Sequence, residues 1–215
     1  MLFGSISYLN LLPFQLFLKR YLKSSAAKMS FRYNRAVPSQ INRALKRREV
    51  NAAFISSVES RHANCTDLGI IAKKRVYSVL LLEGEIRKDP ASATSNRLAQ
   101  VLGLEGKVLI GDAALKYYLD GGTGIDMAEA WYKKTGLPFV FARLCYNQHG
   151  RYIRQLARTF ASQKVRIPQY ILKKEARKRG ISPKELSWYL EHIHYEMDWK
   201  AKRGLKKFLA IQGKI

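Results

Sequence analysis

Short apolar runs alternate with stretches of helical periodicity along most of this chain, and that alternation admits few folds. Residues 2–7 alternate weakly and end in small polar side chains, the pattern of a short strand. Pro13 then opens a helix on which Phe14, Phe17, Leu18, Tyr21 and Leu22 recur on one face. A strand is predicted at 29–33, a helix from Pro38 through Ile41, Ala44 and Leu45, and a short buried strand at 51–55. The order strand, helix, strand, helix, strand reads as an α/β sheet.

A polar helix is predicted near 58–64, with strands at 68–72 and 76–82. The run VYSVLLL is apolar enough for a fully buried central strand, and the polar tract 83–89 behind it marks a lobe boundary. A helix at 92–102, a strand at 107–110, a Gly121–Gly122–Thr123–Gly124 turn, a helix at 127–133 and a strand at 139–143 follow. From Gln148 onward only helices are predicted; Ser182-Pro183-Lys184-Glu185 carries the marks of a capping box ahead of the stripe Leu186, Tyr189, Leu190 and Ile193. The predicted organisation is a discontinuous first lobe, 1–82 and 140–215 with the helical tail, and a second lobe at 83–139.

Charge is the extreme feature of the composition: 39 Lys and Arg against 16 Asp and Glu give +23. Such a balance raises nucleic acid or an anionic membrane as partners. The excess is scattered over 19–20, 46–48, 73–75, 173–179 and 200–207, which reads rather as a solvated surface attractive to anionic substrates. No apolar run approaches the ~20 residues of a membrane span. The opening MLFGSISYLNLLP has neither a basic stretch nor a small-residue cleavage site, so it reads as a first strand and not as a signal peptide. Cys65 and Cys145 cannot build a disulfide framework and read as small buried side chains, and a cytoplasmic location is expected. His62, His149, His192 and His194 show no metal spacing, and GxGxxG, GxxxxGK[ST] and GxSxG are all absent. No metal or other cofactor is therefore expected.

Polar clusters interrupt the apolar strand ends. Asn10 closes Ser5-Ile6-Ser7-Tyr8-Leu9-Asn10, where the first strand hands over to a helix; it reads either as a turn or cap residue or as an amide facing a ligand. Ser56 and Ser57 end NAAFI and either cap the next helix or share its N-terminal field with an anion. Ser92, Thr94 and Ser95 put more hydroxyls at a helix start than capping requires, which favours ligand contact. Gly111 and Asp112 follow the strand at 107–110, the glycine permitting close approach and the aspartate facing a ligand or capping a helix. Together these residues describe a cleft for an anionic metabolite with few acids or bases in it.

The same residues resemble the chorismate dehydratases of menaquinone biosynthesis by the futalosine route. The matching stretches are GSISYLNLLP (4–13), NAAFISSVE (51–59), SVLLL (78–82), DPASATS (89–95), IGDAAL (110–115) and TGLPFVFA (135–142). Any one is unspecific; six in order are not. The resemblance implies an α/β, type II periplasmic-binding-protein-like fold, two lobes with a ligand cleft between them and a helical C-terminal segment. It implies a hydro-lyase that turns chorismate into 3-[(1-carboxyvinyl)oxy]benzoate and water, with the substrate's own enolpyruvyl carboxylate taking the ring C3 proton. It further implies Asn10 and Ser92 as catalytic residues, with Ser56, Ser57, Thr94, Ser95, Gly111 and Asp112 lining the substrate site. One departure stands out: many members carry arginine where this chain has Ala93. The rival readings are a carboxylate-binding protein of the same fold without turnover, and a nucleic-acid binder using the basic tail.

Overall fold

The computed structural model describes residues 1–22 and 32–212. The strands among them are β1 (Leu2–Ser5), β2 (Arg32–Arg35), β3 (Ala52–Ser56), β4 (Asn64–Ala72), β5 (Val79–Leu82), β6 (Lys107–Ile110), β7 (Ile125–Asp126), β8 (Phe139–Tyr146) and β9 (His194–Glu196). The α-helices are α1 (Leu12–Tyr21), α2 (Pro38–Lys46), α3 (Ala93–Leu102), α4 (Gly111–Leu119), α5 (Met127–Thr135), α6 (Gly150–Ala161), α7 (Gln169–Arg179), α8 (Pro183–Glu191) and α9 (Trp199–Gln212). Of the strand expected at 29–33, residues 29–31 lie outside the described residues.

Two sheets form two lobes. The larger has the order β2-β1-β3-β8-β4-β9 and the smaller β6-β5-β7. β1 runs parallel to β2 and β3, whereas β8 is antiparallel to β3 and β4. One aromatic cluster buries a face of the larger sheet: Phe14 of α1 stacks on Phe3 and meets Phe54 and Phe160 edge-on at 5.0 and 5.2 Å. A second joins the lobes to the tail, since Trp131 of α5 packs edge-on against Phe139 of β8 and Phe208 of α9. These rings are nearly all fully buried, the burial that dominates stability.

Several elements differ from expectation. β5 pairs with β6 and β7, so the chain has already crossed to the smaller sheet before Glu83, near 73–78. An apolar run satisfies a central strand in either sheet, and hydrophobicity alone does not choose between them. The expected helix at 58–64 is a single 3-10 turn, Glu59–His62, after which β4 starts early. The tail is not purely helical, because β9 adds a short edge strand to β4. Cys65 and Cys145, expected as separate side chains, face each other across β4 and β8 and are joined in a disulfide. The capping box at Ser182 and Glu185 is present as predicted.

The crossing is pinned by one carboxylate. Asp126 caps α5 by accepting from the N–H groups of Ala128 and Glu129, and its second oxygen accepts from those of Val76 and Tyr77. Burial pushes this carboxyl up while the N–H donors pull it down. The grip holds Tyr77 at φ 61°, a left-handed conformation uncommon outside glycine.

Candidate active site

A mostly apolar cleft lies between the two sheets. It sits where β1, β3 and β6 end, the edge at which open α/β sheets take ligands. Asn10, Ser56, Ser92, Ser95 and Gly111 line it, together with Tyr8, Ser78, Phe54 and Phe141.

Asn10 stands within a 3-10 turn, Leu9–Leu11, that has no side-chain cap. Its carbonyl accepts from the buried Tyr195 hydroxyl at 2.7 Å, and its side-chain amide makes no hydrogen bond with another described residue. The capping reading of Asn10 therefore falls, and a half-buried amide faces the cleft. Ser56 is clamped: its Oγ accepts from Asn42 Nδ2 at 2.9 Å, and its N–H donates to Asn42 Oδ1 at 3.1 Å. With the oxygen taken by Asn42, the hydroxyl hydrogen of Ser56 is left for a ligand. Asn42 is the one polar side chain among the buried residues of α2, and sequence reasoning passed over it.

On the other wall Ser92 is the N-cap of α3. Its Oγ accepts the Ser95 N–H at 3.1 Å, and the two hydroxyls are 2.8 Å apart. One hydroxyl hydrogen bridges the pair and the other remains for a ligand. Capping and ligand contact are thus compatible here. Gly111 begins α4 at φ 67°, and a Cβ there would stand 2.9 Å from the Tyr8 ring. Only glycine combines that backbone with that approach. Ser78, hidden in sequence inside an apolar run, accepts from the Tyr189 hydroxyl at 2.9 Å while its carbonyl takes the Gly111 N–H.

Three expected lining residues turn elsewhere. Ser57 is fully buried in the turn just past β3 and donates to the Val140 carbonyl at 2.6 Å. Thr94 is equally buried and accepts the Val58 N–H at 3.3 Å. Asp112 is a clasp between lobes: Oδ1 accepts the Leu9 N–H at 2.9 Å and Oδ2 accepts from Arg179 Nε at 3.0 Å. Arg179 also donates to the Ser7 carbonyl at 2.9 Å and pairs with Glu175. Ala93 borders a surface groove with Lys46 and Lys88 and does not line the cleft.

No Lys, Arg, His, Asp or Glu lines the cleft among the described residues. Its donors are hydroxyls, one amide and those first N–H groups of α3 and α4 other than that of Ser95, which donates to Ser92 Oγ, and that of Gly111, which donates to the Ser78 carbonyl. Among the described residues no three His, Cys, Asp or Glu side chains gather into a metal-sized cluster.

The two-lobed architecture recurs in solved structures. A protein from Archaeoglobus fulgidus superimposes with a TM-score of 0.69 at 11% identity, covering 100% of this chain and 98% of that one. The periplasmic aliphatic sulphonate binding protein SsuA from Escherichia coli follows with a TM-score of 0.57 at 14% identity, covering 100% and 91%. At such identities the likeness speaks for the fold alone, and that fold is periplasmic-binding-protein-like. Sequence narrows this. The chain matches the menaquinone biosynthesis family over residues 1–105 and 92–214, and it belongs to that family. It is 45% identical over 215 residues to the chorismate dehydratase of Campylobacter jejuni subsp. jejuni serotype O:23/36, covering 97% of this chain and 96% of the relative. It is 27% identical over 263 residues to the chorismate dehydratase of Thermus thermophilus, covering 98% and 94%.

Proposed function

We propose that this chain is a chorismate dehydratase, a hydro-lyase that converts chorismate to 3-[(1-carboxyvinyl)oxy]benzoate and water in menaquinone biosynthesis. The carrying observation is the cleft's chemistry: donors converge from both lobes, yet among the described residues no carboxylate or imidazole lines it to act as a base. A substrate that brings its own base fits such a site. The enolpyruvyl carboxylate, folded over the ring, removes the C3 proton, and the C4 hydroxyl leaves as the ring becomes aromatic. Negative charge passing to the ring carboxylate during proton loss is stabilised by preorganised donors. Holding the arm over the ring is the work of the apolar walls, Phe54 and Phe141 among them.

Asn10 orients a carboxylate or the leaving hydroxyl, and Ser92 with Ser95 receives a carboxylate at the start of α3, where the helix field favours anions. Ser56 adds a hydroxyl aimed by Asn42, and Gly111 admits the ligand close to the start of α4. Ser57, Thr94 and Asp112 support these walls from behind. The reaction needs no cofactor, and the protein works in the cytoplasm; none of its described helices is long and apolar enough to cross a membrane.

The test is incubation of purified protein with chorismate, followed by mass and ultraviolet detection of the benzoate product. Chorismate that binds and is recovered unchanged favours a carboxylate-binding protein instead. Tight, steeply salt-dependent affinity for a duplex or an RNA, without turnover, favours the nucleic-acid reading.

A further inference from the structure

Dehydration expels an oxygen that must leave as water, and that oxygen needs a proton at the moment its bond to carbon breaks. Among the described residues lining the cleft, Tyr8 carries the only ionisable side chain. On the dehydratase reading given above, we propose that the Tyr8 phenol delivers this proton and is the catalytic acid of the reaction.

The phenol is well placed for that task. Its ring lies against Gly111 of the opposite lobe, so closely that no Cβ fits between them. The backbone on either side is fixed, since the Tyr8 carbonyl accepts the Leu11 N–H at 3.1 Å and the Leu9 N–H is held by Asp112. The hydroxyl makes no hydrogen bond with another described residue, which leaves it for a ligand. Two carboxylates act on it through space: that of Asp89, ahead of α3, and that of Asp112, which is itself paired with Arg179 of α7. Burial first, and then these two carboxylates, push the phenol up to about 12, so it enters the reaction protonated. The serine hydroxyls around it are weaker acids.

The step balances without any further reactant. The C3 proton moves to the enolpyruvyl carboxylate, and the electron pair it leaves enters the ring system. The C4–O bond breaks with its pair going to oxygen, the phenol proton joins that oxygen, and water departs. The phenolate then recovers a proton from the enolpyruvyl carboxylic acid, which holds the one taken from C3.

Tyr8→Phe keeps the ring on Gly111 and removes only the acid. Its kcat should fall by about a hundredfold or more, with KM within about twofold of the parent. A fluorinated tyrosine at position 8, more acidic than the natural residue, should move the alkaline limb of the kcat profile to lower pH; a ring that only packs moves nothing. If the parent turns over chorismate and Tyr8→Phe keeps kcat within about threefold, or loses only KM, Tyr8 is not the acid and the dehydratase reading stands. A parent that leaves chorismate unchanged overturns both.

Discussion

The two walls of the cleft offer hydrogen bonds in different ways. On the wall built by the larger sheet the donors are side chains: the unpartnered amide of Asn10 and the hydroxyl of Ser56, aimed by Asn42. On the opposite wall the donors belong to helix starts, α3 with the bridged pair Ser92 and Ser95, and α4 with Gly111. A side-chain donor is removed by one substitution, while a helix start keeps its N–H groups under any substitution other than proline. The larger-sheet wall should therefore be fragile to chemistry-changing substitutions, and the smaller-sheet wall to changes of shape.

Asn10 gives the largest expected effect. Asn10→Asp is nearly isosteric but loses the donor and sets an anion against a dianionic substrate. Turnover should drop by about two orders of magnitude, the usual cost of one well-aimed donor in a dry site, with little change in thermal stability. Asn10→Ala should lose turnover too but bind substrate better than the Asp variant. Near-normal turnover in Asn10→Asp would remove this residue from the active site and erase the contrast between the walls.

Next comes the shape of the other wall. Gly111→Ala forces a Cβ onto the Tyr8 ring from a left-handed backbone, with about 1–3 kcal/mol of strain expected. Thermal stability should fall and KM should rise several-fold as the lobes are wedged apart. A variant with unchanged KM would mean that contact between Tyr8 and Gly111 does not shape the site.

Ser57→Ala should act on stability alone. It strips the Val140 carbonyl of a buried partner, for about 1 kcal/mol, and leaves kcat and KM unchanged because the side chain does not reach the cleft. Kinetic damage there, matching that at Ser56, would put both serines on the wall. The smallest effect concerns charge. With +23 overall and no cation lining the cleft among the described residues, screening should lower kcat/KM only a few-fold from low to high salt, through slower capture. A flat profile would leave the local donors as the whole of substrate recognition.

The positions of these walls were legible in the sequence because polar clusters at strand ends are expensive to place anywhere but at an opening. Finer signals were present and unused. Ser92 and Ser95 are three apart on a helix and share a face, whereas Thr94 does not. Ser56 ends a strand and Ser57 begins the turn behind it, so the two need not share a side. Ser78 interrupts an apolar run, and Asn42 sits beside an apolar stripe; each was a polar residue in a place that asks for a partner. Other features had no local signature. Asp112 finds Arg179 across 67 residues of sequence, and Tyr8 meets Gly111 only once both lobes exist. β9 is three residues long, too short for any period, and exists because β4 leaves an edge to pair with.

The clasp at Asp112 also says something about time. Its bonds to Leu9 and Arg179 hold the lobes together across the cleft, and the bond of Arg179 to Ser7 braces the arginine within its own lobe. Two such bonds to a charged group are worth about 3 kcal/mol in sum, enough to leave the parted form outnumbered roughly a hundredfold. If substrate enters only the parted form, association at low concentration is slower by that factor. At high concentration it stops rising altogether and settles at the frequency with which the clasp lets go. The lysines and arginines of the surface hasten arrival at the mouth; once that ceiling is reached, arrival no longer sets the pace.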